Sequence, residues 1–483
     1  MQIFNTLSRQ KEEIIPIEGD VIRIYSCGLT VYDYAHIGNL RKYIFDDLLV
    51  RTLKYFGYKV KHIQNVTDVG HLTSDEDEGE DKIEKGAARE GKTAWEIAKF
   101  FEREFIKDLK KLNILLPDQM PRATENIAEQ IELVKKLEEK GFTYKTSDGI
   151  YFDTSKLGDY GKLARLDIEN LKEGSRVEKN KEKKNPTDFA LWKFSIPSVI
   201  ASAAKQSARI AALRHPELVS GSQKRQMEWP SPWGVGFPGW HLECSAMATK
   251  FLGQPFEIHT GGVDHIPVHH VNEIAQSEAA YDKPLAKYWV HSEHLLEGGK
   301  KMAKSAGHFI RLQDLEEKGY SPLDFRYLCL TAGYRSKLDF SWNSLGGAKE
   351  ARRKVVSAFN ESLRATERER GNLDLKEFND AISDDLDTPK ALAFIFDNLE
   401  CLTKADFEKI DEVLAILEKV EVKEEGGIVT EGYVPQNVFK LVLERQKART
   451  AKNFAKSDEL REKILKLGFI VEDTPEGPKI TKK

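Results

Sequence analysis

The chain has 483 residues, of which 40% are hydrophobic and 31% are charged, and its formal net charge at pH 7 is -4. This length exceeds what a single hydrophobic core usually serves, so we expect several domains. The small negative charge argues against indiscriminate binding of nucleic acid, although it leaves room for local basic surfaces.

The few cysteines and the lack of long apolar runs indicate the cellular compartment in which the protein functions. Four cysteines lie at positions 27, 244, 329 and 401, and no two of them form a short CxxC pair. This usage argues against a disulfide framework and favours a reducing cytoplasm. Residues 1–20 are rich in charge and no run of about 18 apolar residues occurs, so we expect neither a signal peptide nor a membrane span.

The N-terminal region has the pattern of a βαβ unit. A β-rich run over 21–27 is followed by a turn, an amphipathic helical pattern over 40–57, and a second β-rich run over 59–66. This order predicts an α/β fold with a parallel sheet and a ligand crevice at the carboxyl ends of its strands. Cys27 ends the first predicted strand, where we expect a binding residue.

Two short motifs are suited to binding phosphate. The turn His36-Ile-Gly-Asn39 opens the first predicted helix, whose N-terminus favours an anion, and Gly38 leaves room for a flat base or ribose. Far downstream, Lys301 and Lys304 follow paired glycines and could neutralise a reacting polyphosphate. Each motif is weak evidence alone, because a lysine-rich loop is often nothing more than a solvated one.

Four residues form a candidate metal site. His269 and Glu273 are four residues apart in a helix predicted over 268–280, so their side chains leave the same face. Cys244 and Cys27 are two further candidate ligands. Two thiolates, an imidazole and a carboxylate suit Zn²⁺. The alternative interpretation is a solvated helical pair and two unrelated buried cysteines.

The motifs taken together resemble the cysteinyl-tRNA synthetase family of class I aminoacyl-tRNA synthetases. The His-Ile-Gly and Lys-Met-Ala-Lys-Ser strings are similar to the two class I signatures. The segments 27–33, 238–247 and 269–277 resemble the cysteine-specific family, and the five motifs follow its order. Two positions within the signatures depart from the family pattern, since Asn39 stands where His is usual and Ala303 where Ser is usual.

The resemblance assigns roles to residues of this sequence. It implies that the zinc ligands are Cys27, Cys244, His269 and Glu273. It implies that the cysteine pocket is lined by Gly28, Thr67, Trp240, His259 and Asp264. It places the ATP site at His36, Gly38, Lys301 and Lys304, and the catalytic groups at His36, Asn39, Lys301 and Lys304.

The activity implied by the resemblance is the ATP-dependent activation of L-cysteine and its transfer to tRNA(Cys), by a monomer with one Zn²⁺ per chain and with Mg²⁺ accompanying ATP. Serine differs from cysteine by one atom, and shape alone distinguishes such near-isosteres by only about 1 to 3 kcal/mol. Zinc prefers a thiolate to an alcohol. We therefore expect discrimination at the metal, without an editing domain.

The resemblance also implies a domain order. A Rossmann-type parallel-sheet catalytic domain in two halves, 1–114 and 227–310, is interrupted by a connective peptide, 115–226, that carries a low-complexity insert over 195–226. A stem-contact region (311–345), a helical bundle (346–423) and a small mixed tail (436–483) follow. We expect the insert to be a flexible surface loop. The tail has twelve Lys or Arg against seven Asp or Glu, which suits binding of the tRNA anticodon.

Two other functions stay open at this point. A ligase that joins cysteine to a small amine would share the catalytic half, but it would end before a tail such as 436–483. A non-enzymatic zinc-binding paralogue would have no physical need for His36, Lys301 and Lys304.

Overall fold

The computed structural model describes residues 1–70, 83, 91–166, 182–195, 226–302, 309–363, 373–418, 429–430, 436–474 and 477–482. Lys304, Ala303 and most of the predicted insert lie outside these ranges, so the predictions about them stay predictions. The chain divides into two compact units, Met1–Leu414 and Ala415–Lys483.

The described strands, in chain order, are β1 (Gln2–Asn5), β2 (Gln10–Glu13), β3 (Val21–Ser26), β4 (Lys59–Gln64), β5 (Thr143–Lys145), β6 (Gly149–Phe152), β7 (Phe189–Phe194), β8 (Gly236–Pro238), β9 (Phe256–Gly262), β10 (Ala286–Ser292), β11 (Leu295–Glu297), β12 (Lys300–Lys301), β13 (Leu338–Phe340), β14 (Val429–Thr430), β15 (Phe469–Thr474) and β16 (Gly477–Lys482). The described α-helices are α1 (Ile37–Tyr55), α2 (Ala94–Lys111), α3 (Ile127–Glu139), α4 (Trp240–Leu252), α5 (Val271–Tyr281), α6 (Leu312–Glu317), α7 (Pro322–Leu330), α8 (Trp342–Ser362), α9 (Lys376–Ser383), α10 (Thr388–Asp397), α11 (Lys404–Leu414), α12 (Gln436–Thr450) and α13 (Phe454–Lys466).

A parallel sheet with the strand order β10-β9-β3-β4 forms the centre of the first unit. Helix α1 connects β3 to β4, and α5 connects β9 to β10, so two βαβ units meet between β3 and β9. The carboxyl ends of these two strands therefore flank a crevice, which is where open α/β sheets bind their ligands. The predicted α/β fold is confirmed.

A second, antiparallel sheet is inserted between the two βαβ units. Its strand order is β5-β6-β7-β8, and β8 lies beyond position 226, so this sheet takes strands from both sides of the predicted insert. Buried side chains of the sheet and of α3, such as Phe152 and Leu133, share one hydrophobic cluster with Met247 of α4. The insertion is thus packed against the catalytic half.

Helices α8 to α11 complete the first unit, and a buried ionic network anchors the last of them, α11. Arg326 of α7 is fully buried and donates to the Asp47 carboxylate at 2.5 Å and to the Leu414 carbonyl at 2.7 Å. Arg51 donates to the same carboxylate at 2.8 Å and to the Glu412 carbonyl at 3.0 Å. Because Asp47 and Arg51 lie on α1, this network joins the first helix of the sheet to α11.

The second unit has a small core of its own. Strands β15 and β16 pair antiparallel, and the core contains Val438, Val442, Ile464, Phe469, Val471 and Ile480. Arg445 is 1% exposed and binds both oxygens of Asp473, at 2.8 and 2.7 Å. Residues 436–483 were predicted as a small mixed tail, and the described part of them contains α12, α13, β15 and β16. No helix within the described ranges is long and apolar enough to cross a membrane.

Candidate active site and metal centre

A cleft of about 530 Å³ lies at the carboxyl ends of β3 and β9. Its walls contain residues from every motif identified in the sequence, including Cys27, His36, Cys244, Asp264 and Lys301. Segments that are up to 274 positions apart in the sequence therefore meet around one cavity. The position agrees with the crevice expected between the two βαβ units.

The four candidate metal ligands come together at one side of this cleft. One donor atom from each of Cys27, Cys244, His269 and Glu273 lies within 4.8 Å of all the others. All four side chains are buried, and His269 Nε2 lies 3.0 Å from Glu273 Oε1. The structure thus brings together residues from three distant segments, in a group small enough for all four donor atoms to bind one metal ion.

The helix that carries two of these ligands begins in an unusual way. Residues Ile266–His270 form a π-helical turn, which continues without a break into α5, where a regular helix was predicted over 268–280. A π turn is rare and often marks a functional site. Here it carries two buried histidines, of which His269 lines the cleft and His270 does not.

The electrostatics of the group favour a bound cation. Burial raises the pKa of Cys27, and burial together with the nearby Cys27 raises the pKa of Cys244 well above its usual value. Burial opposes the charge of His269, but Glu273 and Cys244 raise its pKa to about 10. Burial therefore disfavours both thiolates unless positive charge lies among them. Their chemistry, two sulfurs with one imidazole and one carboxylate, fits Zn²⁺.

A second ligand set overlaps the first. Cys27, His259, His270 and Glu273 also place one donor atom each within 4.8 Å of one another. However, His259 and His270 are fully buried and do not line the cleft, whereas Cys27, Cys244 and His269 do. Only the first set would present a metal to a molecule in the cleft.

Three of the four candidate ligands have an imidazole partner. The pairs are His259 Nε2 with Glu273 Oε2 at 2.9 Å, His241 Nδ1 with His269 Nδ1 at 3.0 Å, and His270 Nε2 with Cys27 Sγ at 3.2 Å. Partners of this kind orient metal ligands and tune their basicity. His259 was predicted as a cysteine-pocket residue; it is fully buried, bonds to Glu273 and does not line the cleft as described.

The other predicted pocket residues, Gly28, Thr67, Trp240 and Asp264, do line the cleft. The Gly28 N–H donates to Asn65 Oδ1 at 2.7 Å, and a Cβ at Gly28 would lie 1.6 Å from the Asn65 carbonyl oxygen. No residue with a side chain fits there. Thr67 Oγ1 donates to Glu243 Oε1 at 2.6 Å, which fixes its direction at the cleft wall.

Asp264 is the carboxylate at the rim of the cleft. Burial opposes its ionisation, but His265 and Lys301 hold the pKa of Asp264 well below its usual value, so it is charged at neutral pH. Lys301 Nζ lies 3.2 Å from its Oδ2. The predicted amino-acid pocket and the predicted phosphate loop therefore meet at this ion pair.

The His36–Asn39 turn forms the start of α1 through a reciprocal capping box. The Asn39 N–H donates to His36 Nδ1 at 3.1 Å, and the His36 N–H donates to Asn39 Oδ1 at 3.3 Å. A Cβ at Gly38 would lie 2.9 Å from His36 Nδ1, so glycine lets the ring fold back over the helix end. His36, Gly38 and Asn39 all line the cleft.

Several cleft residues were not found from the sequence. Lys42 donates to the Cys27 carbonyl at 2.6 Å and pairs with Asp46 at 2.7 Å. Its position three residues after Asn39 on the same helix was an available signal. For Asn65 and His294, which also line the cleft, no local pattern separates them from other polar residues.

Comparison with known proteins bears on this site directly. The family described as "tRNA synthetases class I (C) catalytic domain" matches residues 13–206 and 216–350. Cysteine--tRNA ligase 1 of Burkholderia lata is 46% identical over 99% of this chain and 96% of its own length. Cysteine--tRNA ligase of Treponema denticola is 41% identical over 98% of both chains. The chain belongs to the cysteinyl-tRNA synthetase family.

Solved structures of other synthetases share the fold of this cysteinyl-tRNA synthetase family member. A methionyl-tRNA synthetase from Mycobacterium tuberculosis covers 82% of the chain, with 88% of its own length matched, a TM-score of 0.50 and 14% identity. A LeuRS from Agrobacterium radiobacter matches 84% of both chains, with a TM-score of 0.52 and 11% identity. At such low identity the similarity concerns the fold alone.

Proposed function

We propose that the protein is a cysteine--tRNA ligase, which activates L-cysteine with ATP and transfers it to tRNA(Cys). The observation that carries this proposal is the placement of Cys27, Cys244 and His269 in the wall of the same cleft as His36 and Lys301. A thiol-binding site and a phosphate-binding site are thus adjacent. Similarity to cysteine--tRNA ligases over nearly the whole chain supports it.

The proposed metal is Zn²⁺ held by Cys27, Cys244, His269 and Glu273. When bound, it supplies a Lewis acid that prefers a thiolate to a hydroxyl group, and so distinguishes cysteine from serine. His259 and His241 hold Glu273 and His269 in their orientations, rather than contacting the substrate.

We assign the amino-acid pocket to the four lining residues Gly28, Thr67, Trp240 and Asp264. The Asp264 carboxylate binds the α-ammonium group of cysteine, because it is an ionised acid at the rim of the cleft. The Trp240 ring packs 4.6 Å from the ring of His269, so it supports the metal ligand and closes the pocket on one side. Gly28 allows its main chain to approach Asn65 closely at the pocket wall.

The ATP site comprises His36, Gly38, Lys301 and Lys304, with Asn39 holding the turn in place. A carboxylate oxygen of cysteine attacks the α-phosphorus of ATP, the bond from this phosphorus to the oxygen that bridges to the β-phosphorus breaks, and pyrophosphate leaves. The lysines balance the charge that develops, and Mg²⁺ bound with ATP would supply further positive charge there. A hydroxyl of the terminal tRNA ribose then attacks the aminoacyl carbonyl, and AMP leaves.

The remaining regions serve tRNA in this proposal. Residues 115–226 form the connective peptide, 311–345 contact the stem, 346–423 form the helical bundle, and 436–483 bind the anticodon. The protein acts as a monomer, with the cysteine pocket and both signatures contributed by one chain. The tail and the match over the full length of the ligases favour tRNA over a small amine as acceptor.

Cysteine-dependent exchange between ATP and pyrophosphate, measured with and without tRNA(Cys), tests this function. We expect exchange with cysteine, little exchange with serine, and formation of cysteinyl-tRNA. Exchange without charging of any tRNA would instead support a cysteine ligase with a small amine acceptor. Absence of exchange in a zinc-loaded protein would support a non-enzymatic paralogue.

A further inference from the structure

One buried side chain links the two elements that carry the signature motifs. Arg41 lies on α1, five residues after His36, and is 3% exposed. Its guanidinium donates to four main-chain carbonyls, those of Glu293 at 3.1 Å, His294 at 2.6 Å, Gly333 at 3.5 Å and Ser336 at 2.6 Å. The side chain therefore reaches two separate segments from one helix.

Both segments lead into the small sheet that carries Lys301. Glu293 and His294 immediately precede β11, in which Leu296 pairs with Lys301 of β12. The other two carbonyls lie in the segment before β13, which pairs with the other side of β11. Arg41 thus holds the base of the β12-β11-β13 sheet against the helix that begins at His36.

The bonding of Arg41 differs from that of other buried arginines. Within the described ranges, no carboxylate accepts a hydrogen bond from Arg41, whereas Arg51 and Arg326 both bind Asp47. A guanidinium is always charged, and burying it without a hydrogen-bonded carboxylate carries a desolvation cost that an apolar side chain would avoid. Stability alone therefore does not account for an arginine at this position.

The segment that Arg41 holds is part of the cleft wall. Glu293, His294 and Leu295 line the cleft, together with His36 and Asn39 on the opposite element, but Arg41 itself does not. A further bond joins the start of α1 to a third segment, which lies just before α6, from the Ile37 N–H to the Ile310 carbonyl at 2.9 Å. The spacing of the two signatures is thus set by main-chain contacts around Arg41.

We propose that Arg41 is a positioning residue for adenylate formation, which fixes the His36–Asn39 turn at the correct distance from the hairpin that carries Lys301. ATP is held between these two elements, so the inference rests on the proposed function. The hydrogen bonds of Arg41 involve neither the candidate metal ligands nor the residues assigned to the cysteine pocket. Its removal therefore affects the ATP-dependent step selectively.

The test compares Arg41→Met with Arg51→Met in the full-length, zinc-loaded protein. Both variants remove a buried guanidinium from α1, but Arg51 bonds to Asp47, Asn113 and Glu412 instead of the Lys301 sheet. For Arg41→Met we expect kcat of pyrophosphate exchange to fall on the order of tenfold to hundredfold. We expect KM for ATP to rise while KM for cysteine and zinc content stay as in the wild type.

Arg51→Met should lower the unfolding temperature while leaving kcat and both KM values near those of the wild type. Added guanidinium ion at low millimolar concentration should partly restore exchange by Arg41→Met and have no effect on Arg51→Met. An unchanged kcat in Arg41→Met, an equal loss in both variants, or a parallel rise of both KM values would overturn the inference.

A conservative variant keeps the test decisive if Arg41→Met does not fold. Arg41→Lys retains the charge, but one ammonium group cannot donate to both segments, so we expect the same selective loss of exchange in milder form. Wild-type kinetics in Arg41→Lys would overturn the inference. Absence of exchange in the wild type would refute the proposed function itself, which is a distinguishable result.

Discussion

The two cysteine ligands are ionisable residues that burial would otherwise keep neutral. Cys27 and Cys244 are 3% and 2% exposed, and burial raises the pKa of both thiols. A cation among them reverses this preference, because it stabilises the thiolates more strongly than burial destabilises them. The site and its metal are therefore interdependent, and each ligand should be indispensable.

Replacing one sulfur ligand should remove the metal. In Cys244→Ser we expect zinc to fall far below stoichiometric content and cysteine-dependent exchange to be lost, because a serine hydroxyl is a much poorer ligand than a thiolate. Elemental analysis of the purified protein measures this. Cys329→Ser is the matched control, since Cys329 is also buried but lies outside the ligand group. Full zinc content and activity in Cys244→Ser would exclude the proposed site.

We expect His259, the hydrogen-bond partner of Glu273, to affect activity only through its effect on metal binding. His259→Ala removes the 2.9 Å bond to Glu273 Oε2, so we expect zinc affinity to weaken about 10-fold to 100-fold. His259→Gln retains an N–H donor and should recover part of the loss. Competition with a chromophoric chelator measures the affinity, with His62→Gln, a buried histidine bound to Ser26, as the control. If the affinities of His259→Ala and wild type agree, His259 does not orient the ligand.

Among the elements, the start of α1 shows how a departure from the family pattern can be accommodated. Asn39 stands where the family usually has His, and its side chain closes the capping box with His36. The Asn39 side-chain oxygen accepts a hydrogen bond from the His36 N–H, and this bond fixes the turn that borders the cleft. The departure is therefore compatible with a well-formed first signature.

Loss of this cap should have a measurable effect on stability and rate. We expect Asn39→Ala to lower the free energy of unfolding by about 0.5 to 2 kcal/mol and to reduce kcat for exchange. Asn39→Asp retains the acceptor oxygen, so it should preserve most of the stability. Chemical unfolding and exchange kinetics of the two variants check the prediction, which equal stabilities of Asn39→Ala and the wild type would contradict.

The antiparallel sheet bears on the role of the low-complexity insert. Phe194 pairs with Gly236, and the Ser195 N–H donates to the Val235 carbonyl at 3.0 Å, so the two chain segments that flank the insert are already joined. The residues of the hydrophobic cluster that includes this sheet all lie among the described residues on either side of 196–225. Neither the core nor the cleft wall as described requires the insert.

Removing the insert should therefore leave amino-acid activation intact. When residues 196–225 are replaced by a short Gly/Ser linker, we expect zinc content and cysteine-dependent exchange to stay close to those of the full chain. The charging rate of tRNA, measured in parallel, reports whether the insert contributes to tRNA binding. Loss of exchange in a folded deletion variant would assign the insert a structural part in the catalytic domain.

On the scale of the whole molecule, the proposed activation of cysteine and the proposed recognition of tRNA belong to different units of the chain. The first unit, Met1–Leu414, contains the complete cleft, and the second has an independent core around Val442, Ile464 and Ile480. A chain that ends at residue 435 should thus retain cysteine-dependent exchange but lose most charging of tRNA(Cys). Aminoacylation and exchange measured on one preparation test this. Unimpaired charging would show that the tail does not bind the tRNA.

The sequence alone determined the fold class, the family and the four candidate metal ligands. Strand and helix periodicity gave the βαβ unit, and the ligand chemistry of Cys27, Cys244, His269 and Glu273 was visible because these residue types are rare in combination. It could not separate residues that contact a substrate from residues that support them. His259 was predicted as a pocket residue, and the structure adds that it is fully buried and bonded to Glu273.

Only the tertiary structure decided which groups share a cavity and which hold others in place. The π turn at Ile266–His270, the ion pair of Asp264 with Lys301 and the four carbonyls around Arg41 each join segments that are distant in sequence, or depend on backbone geometry without a local signal. Local sequence patterns report periodicity and residue chemistry. They do not report the distances between side chains, which depend on how the sheet, the insertion and the helices pack together.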